Sequence, residues 1–153
     1  MRPLSLPAYP ARIREAGAKK QIFDPVRKKF IALTPEEWVR QHFLNFLIHE
    51  KKYPSGLISL EKGLKYNSLA KRTDILIHDL KGSPVMLIEC KAFSVKISQK
   101  VFDQAATYNL SLGVKYLILT NGITHFCCSL DHEKKQYHFH EGIPEWNEIA
   151  DLT

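Results

Sequence analysis

At 153 residues, with 44% hydrophobic and 25% charged side chains, the chain holds enough apolar material for one domain with a sizeable core. No apolar run approaches membrane-spanning length, and the start, Met1 to Pro7, lacks the apolar centre of a secretory signal. Three cysteines, Cys90, Cys127 and Cys128, make a poor disulfide framework and suit a reducing cytoplasm, and no CxxC pair suggests zinc. The net charge of +6 is uneven: Arg2, Arg12, Arg14, Lys19, Lys20, Arg27, Lys28 and Lys29 meet only Glu15 and Asp24 near the start. That suits a polyanionic partner, although simple solubility explains it as well.

Residues 1–21 hold three prolines and scattered charge and read as a basic arm, leaving 22–153 as one domain. Residues 21–33 read as a short hairpin turning at Asp24-Pro25, its second strand bearing Arg27, Lys28 and Lys29. Those cations are candidates for contact with a phosphate backbone, against a plainly solvated edge. Thr34-Pro35-Glu36-Glu37 opens a helix: Thr34 caps it, Pro35 takes the first turn and Glu37 closes a capping box. Trp38, Val39, Phe43, Phe46 and Leu47 then recur near helical spacing, with Glu37, Arg40 and Gln41 sharing a face. Residues 57–66 read as one strand and 67–71 as a loop; Lys71 and Arg72 lie beside Asp74, suited to phosphate or to offsetting its charge.

The stretch from Arg72 to Lys91 organises the rest. Two apolar runs, Ile75 to Ile77 and Val85 to Ile88, flank the turn residues Lys81-Gly82-Ser83-Pro84. Folding symmetrically about Lys81 and Gly82 sets Asp74 opposite Glu89, with Lys91 on the same sheet face as Glu89. The runs are nearly unbroken, so both faces are expected to be covered. Carboxylates at the end of a buried strand pair are costly unless neutralised. A hard divalent cation would do that, and a lysine beside it could hold the water that attacks a phosphodiester. An ordinary ion pair is the bland alternative.

A second helix is expected from Ser98, its cap, through Leu110, with Val101, Ala105 and Tyr108 inward and Phe102 and Ala106 broadening the stripe. Gln104 and Tyr108, four apart, share a face. Residues 114–120 form a buried strand that pairs through a crossover with the strand before the helix. Residues 123–130 and 136–140 form a hairpin turning at Lys134-Lys135, and Pro144 and Trp146 cap the sheet. No P-loop appears, and the histidines suggest no site.

Asp74, then Glu89-Cys90-Lys91, then Gln104-Ala105-Ala106-Thr107-Tyr108, preceded by the helix bearing Glu37, resembles the PD-(D/E)xK nuclease signature. In that order they resemble the N-terminal nuclease domain of type I restriction-enzyme R subunits, over about residues 20–130. Thr73 stands where the motif is named for proline. The resemblance implies an α/β restriction-endonuclease-like core, a mixed central β-sheet flanked by helices. It implies Mg²⁺, or Mn²⁺ in its place, held by Asp74, Glu89 and the Cys90 carbonyl. Lys91 would position the attacking water, Gln104 would orient water or phosphate, and Glu37 would support the metal. Lys71, Arg72, Arg27, Lys28, Lys29, Arg40 and Tyr108 are the candidate nucleic-acid contacts. The expected substrate is DNA ahead of RNA, cut to 5′-phosphate and 3′-hydroxyl ends, with a second copy or a motor subunit as partner. The rival is a non-catalytic DNA-binding module or a subunit that cuts only with a partner; a scaffold without DNA affinity is the third reading.

Overall fold

The computed structural model describes the backbone of residues 1–66, 69–110 and 112–150, and the side chains of these except 64–66 and 69–72. Three strands come first: β1 (Ile13–Ala16), β2 (Lys19–Asp24) and β3 (Lys29–Ala32), an antiparallel sheet in that order. Helix α1 (Pro35–His49) follows, then a short 3-10 turn (Ser55–Leu57) and β4 (Ile58–Leu60). A two-stranded ribbon of β5 (Gly63–Tyr66) and β6 (Leu69–Arg72) leads to β7 (Ile75–His78) and β8 (Pro84–Cys90). Helix α2 (Gln99–Asn109), β9 (Tyr116–Thr120), β10 (His125–Asp131), β11 (Gln136–His140) and α3 (Trp146–Ala150) complete the chain.

The main sheet runs β11-β10-β9-β8-β7-β4. Its pairings are antiparallel except for β8 with β9, which are parallel and joined through α2. Strand alternation divides its apolar residues between two cores. Ile75, Ile77, Met86, Ile88 and Ile118 pack with Val39, Phe43, Leu44 and Leu47 of α1. Leu76, Leu87, Leu117 and Leu119 pack with Phe102 and Ala106 of α2. A sheet covered on both faces explains the unbroken apolar runs of β7 and β8. Each fully buried Ile or Leu contributes about 1.5–3 kcal/mol. Among the described residues no helix is long and apolar enough to cross a membrane.

The central hairpin has the expected register: Ile75 faces Ile88, Leu76 faces Leu87 and Ile77 faces Met86. The symmetry ends at a bulge between Ile77 and His78, beyond which His78 faces Pro84. The turn is tightened by Asp79, whose Oδ1 accepts from the Lys81 and Ser83 amides at 2.8 and 2.9 Å. Thr34 caps α1, its Oγ1 accepting from the Glu37 amide at 3.0 Å. The Glu37 carboxylate is drawn to Arg27, Arg40 and Gln41. Ser98 caps α2 in the same way, accepting from the Val101 amide.

Four expectations change. The basic arm contains β1, and its first residues are seated on the body: the Ser5 amide donates to Gly122 O at 2.8 Å and the Trp38 indole donates to Arg2 O at 3.0 Å. Of the basic triplet only Lys29 lies in a strand; Arg27 and Lys28 are in the turn, Lys28 at φ 55. The segment 57–66 is two strands, broken at Glu61, which has φ 51, and residues expected as a loop form β6. Finally, α2 is rotated by one residue. Phe102, Ala106 and Asn109 are buried, whereas Val101 and Tyr108 are 39% and 45% exposed. Phe102 decides the orientation because it is the bulkiest apolar side chain there; its ring lies 5.2 Å from Phe126 and 4.9 Å from Phe139.

Candidate active site

Asp74 sits immediately before β7, and its Oδ2 accepts a 2.7 Å hydrogen bond from the Cys90 amide. That bond fixes one carboxylate at the end of β8, within one residue of Glu89. The Lys91 amide donates to Thr120 O at 2.8 Å, extending the β8–β9 pairing past the strand ends. Asp74, Glu89 and Lys91 thus stand, by backbone position, near the carboxyl ends of the parallel pair, where open α/β sheets place their ligands. Glu89 is half-buried, Lys91 is exposed, and the Cys90 side chain is buried in the α1 core. Burial pushes the Cys90 thiol well up, with Asp74 adding to it, so that side chain is inert packing. Thr73 explains the missing proline. Its amide and its hydroxyl both donate to Lys62 O, at 2.9 and 2.6 Å, and proline could supply neither.

Arg40 enters the same region from α1. Its guanidinium is 5% exposed and lies 3.1 Å from Glu61, 3.3 Å from Glu37, 3.6 Å from Glu36 and 4.0 Å from Asp74. Arg27 bridges Asp24 at 2.6 Å, Glu61 at 2.9 Å and Glu37 at 3.4 Å. Five carboxylates therefore surround two guanidiniums. The distances to Arg40 bring charges together without completing its hydrogen bonds, since the buried Nε and Nη1 have no partner at hydrogen-bonding angles among the described residues. Burial pushes the Glu37 carboxyl up, against Arg40, Gln41 and Arg27, which pull it down. Glu61 also feels burial, but Arg40 and Arg27 hold it below the ordinary carboxylate value. Burial lowers the Arg40 pKa, but Glu37, Asp74 and Glu61 with Cys90 together raise it further, so the guanidinium stays charged.

A cleft of about 570 Å³ opens over this cluster, lined in part by Arg27, Glu36, Glu37, Arg40, Glu61 and Ala92. Of the residues singled out from the sequence, Glu37, Arg40, Arg27, Asp74 and the Cys90 backbone are linked by these contacts. Arg27 and Arg40, read as phosphate contacts, are instead held by carboxylates of the chain itself. Lys28 and Lys29 are exposed. The Lys71 and Arg72 side chains lie outside the described residues. Gln104 and Tyr108 are exposed on α2 and line a separate shallow hollow with Lys100, Asp103 and Thr107.

Sequence reasoning missed Glu61, Asp24 and Tyr9. The Asp24 side chain is fully buried and accepts from the Val26 and Arg27 amides and the Gln41 amide group. Its only signal was Asp-Pro at the turn. Tyr9 stands against His42, and burial beside Asp24 and Glu37 pushes its phenol up to about 12. Among the described residues no three His, Cys, Asp or Glu side chains are grouped to hold a metal by themselves. The guanidinium of Arg40 stands between Glu37, Glu61 and Asp74. A cation here would draw on Asp74, Glu89 and a main-chain oxygen rather than on a side-chain trio.

A mixed sheet with helices on both faces, and an aspartate, a glutamate and a lysine at the ends of its central strands, defines the restriction-endonuclease-like core. The family described as Type I restriction enzyme R protein N terminus (HSDR_N) matches residues 35–144, and the chain belongs to that family. A similar solved structure is a fragment of a chain assigned as an HsdR subunit of a type I restriction enzyme from Vibrio vulnificus YJ016. It shares 21% identity, with a TM-score of 0.53 over 79% of this chain, so the likeness is one of fold. This chain spans 25% of that structure's length. Comparison with curated proteins gave no match.

Proposed function

We propose that the chain is a metal-dependent nuclease domain that hydrolyses DNA phosphodiester bonds. The observation that carries the reading is Asp74 fastened to the Cys90 amide, with Glu89 and Lys91 flanking that residue. The donor set fits a hard divalent ion: hard oxygen ligands, beside a cluster whose five acids outnumber its two guanidiniums. Asp74, Glu89 and the Cys90 carbonyl would hold Mg²⁺, with Mn²⁺ as substitute, while Glu37 would steady Arg40 beside Asp74. When bound, the ion would polarise a phosphoryl oxygen and acidify a nearby water.

The chain's own groups do the rest. Lys91, exposed beside Glu89, holds the attacking water in line with the scissile bond, and its charge offsets that developing on the phosphoryl oxygens. The water oxygen bonds to phosphorus, the P–O3′ bond breaks, the water's proton passes to solvent, and the departing O3′ takes a proton from solvent. The products are 5′-phosphate and 3′-hydroxyl ends. Gln104 and Tyr108 would meet the substrate from the α2 side.

Incubating supercoiled plasmid with Mg²⁺ tests the site. Asp74→Ala, Glu89→Ala and Lys91→Ala should each abolish nicking while circular dichroism stays that of the parent. Cleavage unchanged in all three removes the assignment. The second reading, a module that binds DNA without cutting it, rests on Arg40 occupying the centre of the carboxylates. Calorimetry with Ca²⁺ separates the two, since a silent module would show no divalent site. The family points to a larger assembly, so a partner subunit carrying a motor, or a second copy, is the proposed context for activity.

A further inference from the structure

The three-stranded sheet at the start of the chain lies outside the family match, which begins at residue 35. Its register sorts the side chains cleanly. Ile13, Ile22 and Ile31 are partners across the sheet, and with Ile22 and Asp24 fully buried that face is turned to the body. Alternation turns Arg12, Arg14, Lys19, Gln21, Phe23 and Phe30 to the other face. There the two rings meet edge to face at 5.3 Å. The Arg12 guanidinium lies 4.4 Å from the Phe23 centroid, and that of Arg14 lies 4.0 Å from the Phe30 centroid. Arg14 also donates to Gln21 Oε1 at 2.8 Å. No acid sits on this face, Glu15 being on the opposite one, and among the described residues Arg12, Arg14 and Lys19 make no ion pair.

We infer that this face is a docking platform for the phosphate backbone of duplex DNA. Two guanidiniums laid on aromatic rings are braced against the sheet, and braced forks match phosphate oxygens with less ordering left to lose. The rings are already roofed, so bases would have to displace the arginines to stack there. The contact is therefore with phosphates and without sequence preference. The platform leads to the cleft: the β2–β3 turn delivers Arg27 to Glu37 and Glu61, and Ile31 and Ala32 line the cleft wall. The inference rests on the reading of the chain as DNA-acting, and it names the surface that would hold the substrate.

The test is fluorescence anisotropy of a labelled 20-base-pair duplex, titrated with the full chain in EDTA over a salt series. Arg12→Gln, Arg14→Gln and Lys19→Gln combined should weaken binding at least about tenfold at 50 mM salt. They should also make the slope of log K against log salt shallower by about 2–3, at about 0.9 for each phosphate no longer neutralised. Glu15→Gln, on the opposite face, should change neither. Lys19→Glu alone should lower affinity in the same direction should the triple variant fail to fold. Unchanged affinity and slope in both basic-face variants overturn the platform, as does a wild type without salt-dependent duplex binding. Tighter binding of single strands that resists the arginine changes overturns it too. Binding as expected with neither Mg²⁺-dependent nicking nor a calorimetric Ca²⁺ site sinks the nuclease reading and leaves the platform. Mg²⁺-dependent nicking by a chain whose affinity and slope ignore the basic-face changes does the reverse.

Discussion

Replacing Arg40 by Met isolates what the guanidinium does among its carboxylates. Met keeps the length of the apolar stem and removes the charge. Wild-type Arg40 is 5% exposed, between Glu36, Glu37, Glu61 and Asp74 at 3.1–4.0 Å. Deleting one partner of a buried ionic cluster costs about 3–5 kcal/mol, because the other charge stays buried. Arg27 still reaches Glu61 at 2.9 Å and Glu37 at 3.4 Å, so the loss should fall at the lower end, about 3 kcal/mol at pH 7. At about 1–3 kcal/mol/M in urea, that lowers the denaturation midpoint by about 1–3 M.

The pH dependence supplies a sharper signature. Burial already pushes the Glu37 carboxyl up, and Arg40 is the strongest influence opposing it. Without Arg40 its folded-state pKa rises further above the unfolded value. A folded state that holds its proton more tightly loses stability as pH rises through that interval, so the variant's deficit is full at neutral pH. The deficit shrinks as pH falls toward the ordinary carboxylate value and Glu37 protonates. Glu61 acts in the same direction by the opposite sign. Its pKa is depressed with Arg40 present, so it stabilises the wild type above the unfolded value and loses that as pH falls through the folded one. Urea melts at pH 7 and pH 5 read the Glu37 effect, whereas that of Glu61 appears only in melts taken below the ordinary carboxylate value. Equal midpoints for variant and wild type at pH 7, or a deficit that does not narrow at pH 5, would refute the electrostatic account.

Two further substitutions separate holding the fold from holding a ligand. Asp74→Asn retains an acceptor for the Cys90 amide, whereas Asp74→Ala leaves that donor without its 2.7 Å partner at a cost of about 1–3 kcal/mol. Both should lose calorimetric Ca²⁺ binding, while only the alanine variant unfolds at clearly lower urea; equal midpoints would show that the hydrogen bond carries no stability. Gly122→Ala tests the seating of the first residues. Gly122 has φ +84, and an added Cβ would lie 2.9 Å from a Leu4 methyl and 3.1 Å from a Val39 methyl. The strain should cost about 1–3 kcal/mol and hasten trypsin cleavage near Arg12; an unchanged digestion pattern would show that the segment is not held there.

The sequence disclosed most where one physical period dominates. The β7–β8 register followed from two apolar runs and a Gly-Pro turn, because a one-residue slip would reverse both covered faces. Thr34 and Ser98 were legible as caps because their hydroxyls satisfy amides three residues on. The bulge at Ile77 and His78 was not legible, since it is set by how Asp79 gathers the turn amides. The orientation of α2 was misread because Val101, Ala105 and Tyr108 have the same spacing as Phe102, Ala106 and Asn109. What chose between the stripes was the ring cluster of Phe126, Tyr137 and Phe139, which arrives from strands more than 20 residues away. The Arg40 cluster was hidden for a similar reason. Its acids come from four separate segments, and no periodicity links Asp24, Glu37, Glu61 and Asp74.

That cluster changes how the +6 charge should be understood. Positive charge near the start suggested that the cations would reach a substrate directly, Arg27 and Arg40 among them. The fold instead divides the cations. Arg27 and Arg40 turn inward and hold apart carboxylates that would otherwise repel one another. Arg12, Arg14 and Lys19 turn outward without an acid on their face. The same hairpin carries both sets, buried Asp24 anchoring its turn to Arg27 while Phe23, one residue earlier, faces out beneath Arg12. An acid-rich cleft alone would repel a polyanion. A neighbouring basic face would offset that repulsion, as the proposed reading requires. The separation also explains why charge counting alone could not sort these cations: those that hold the buried carboxylates and those that face outward carry the same sign.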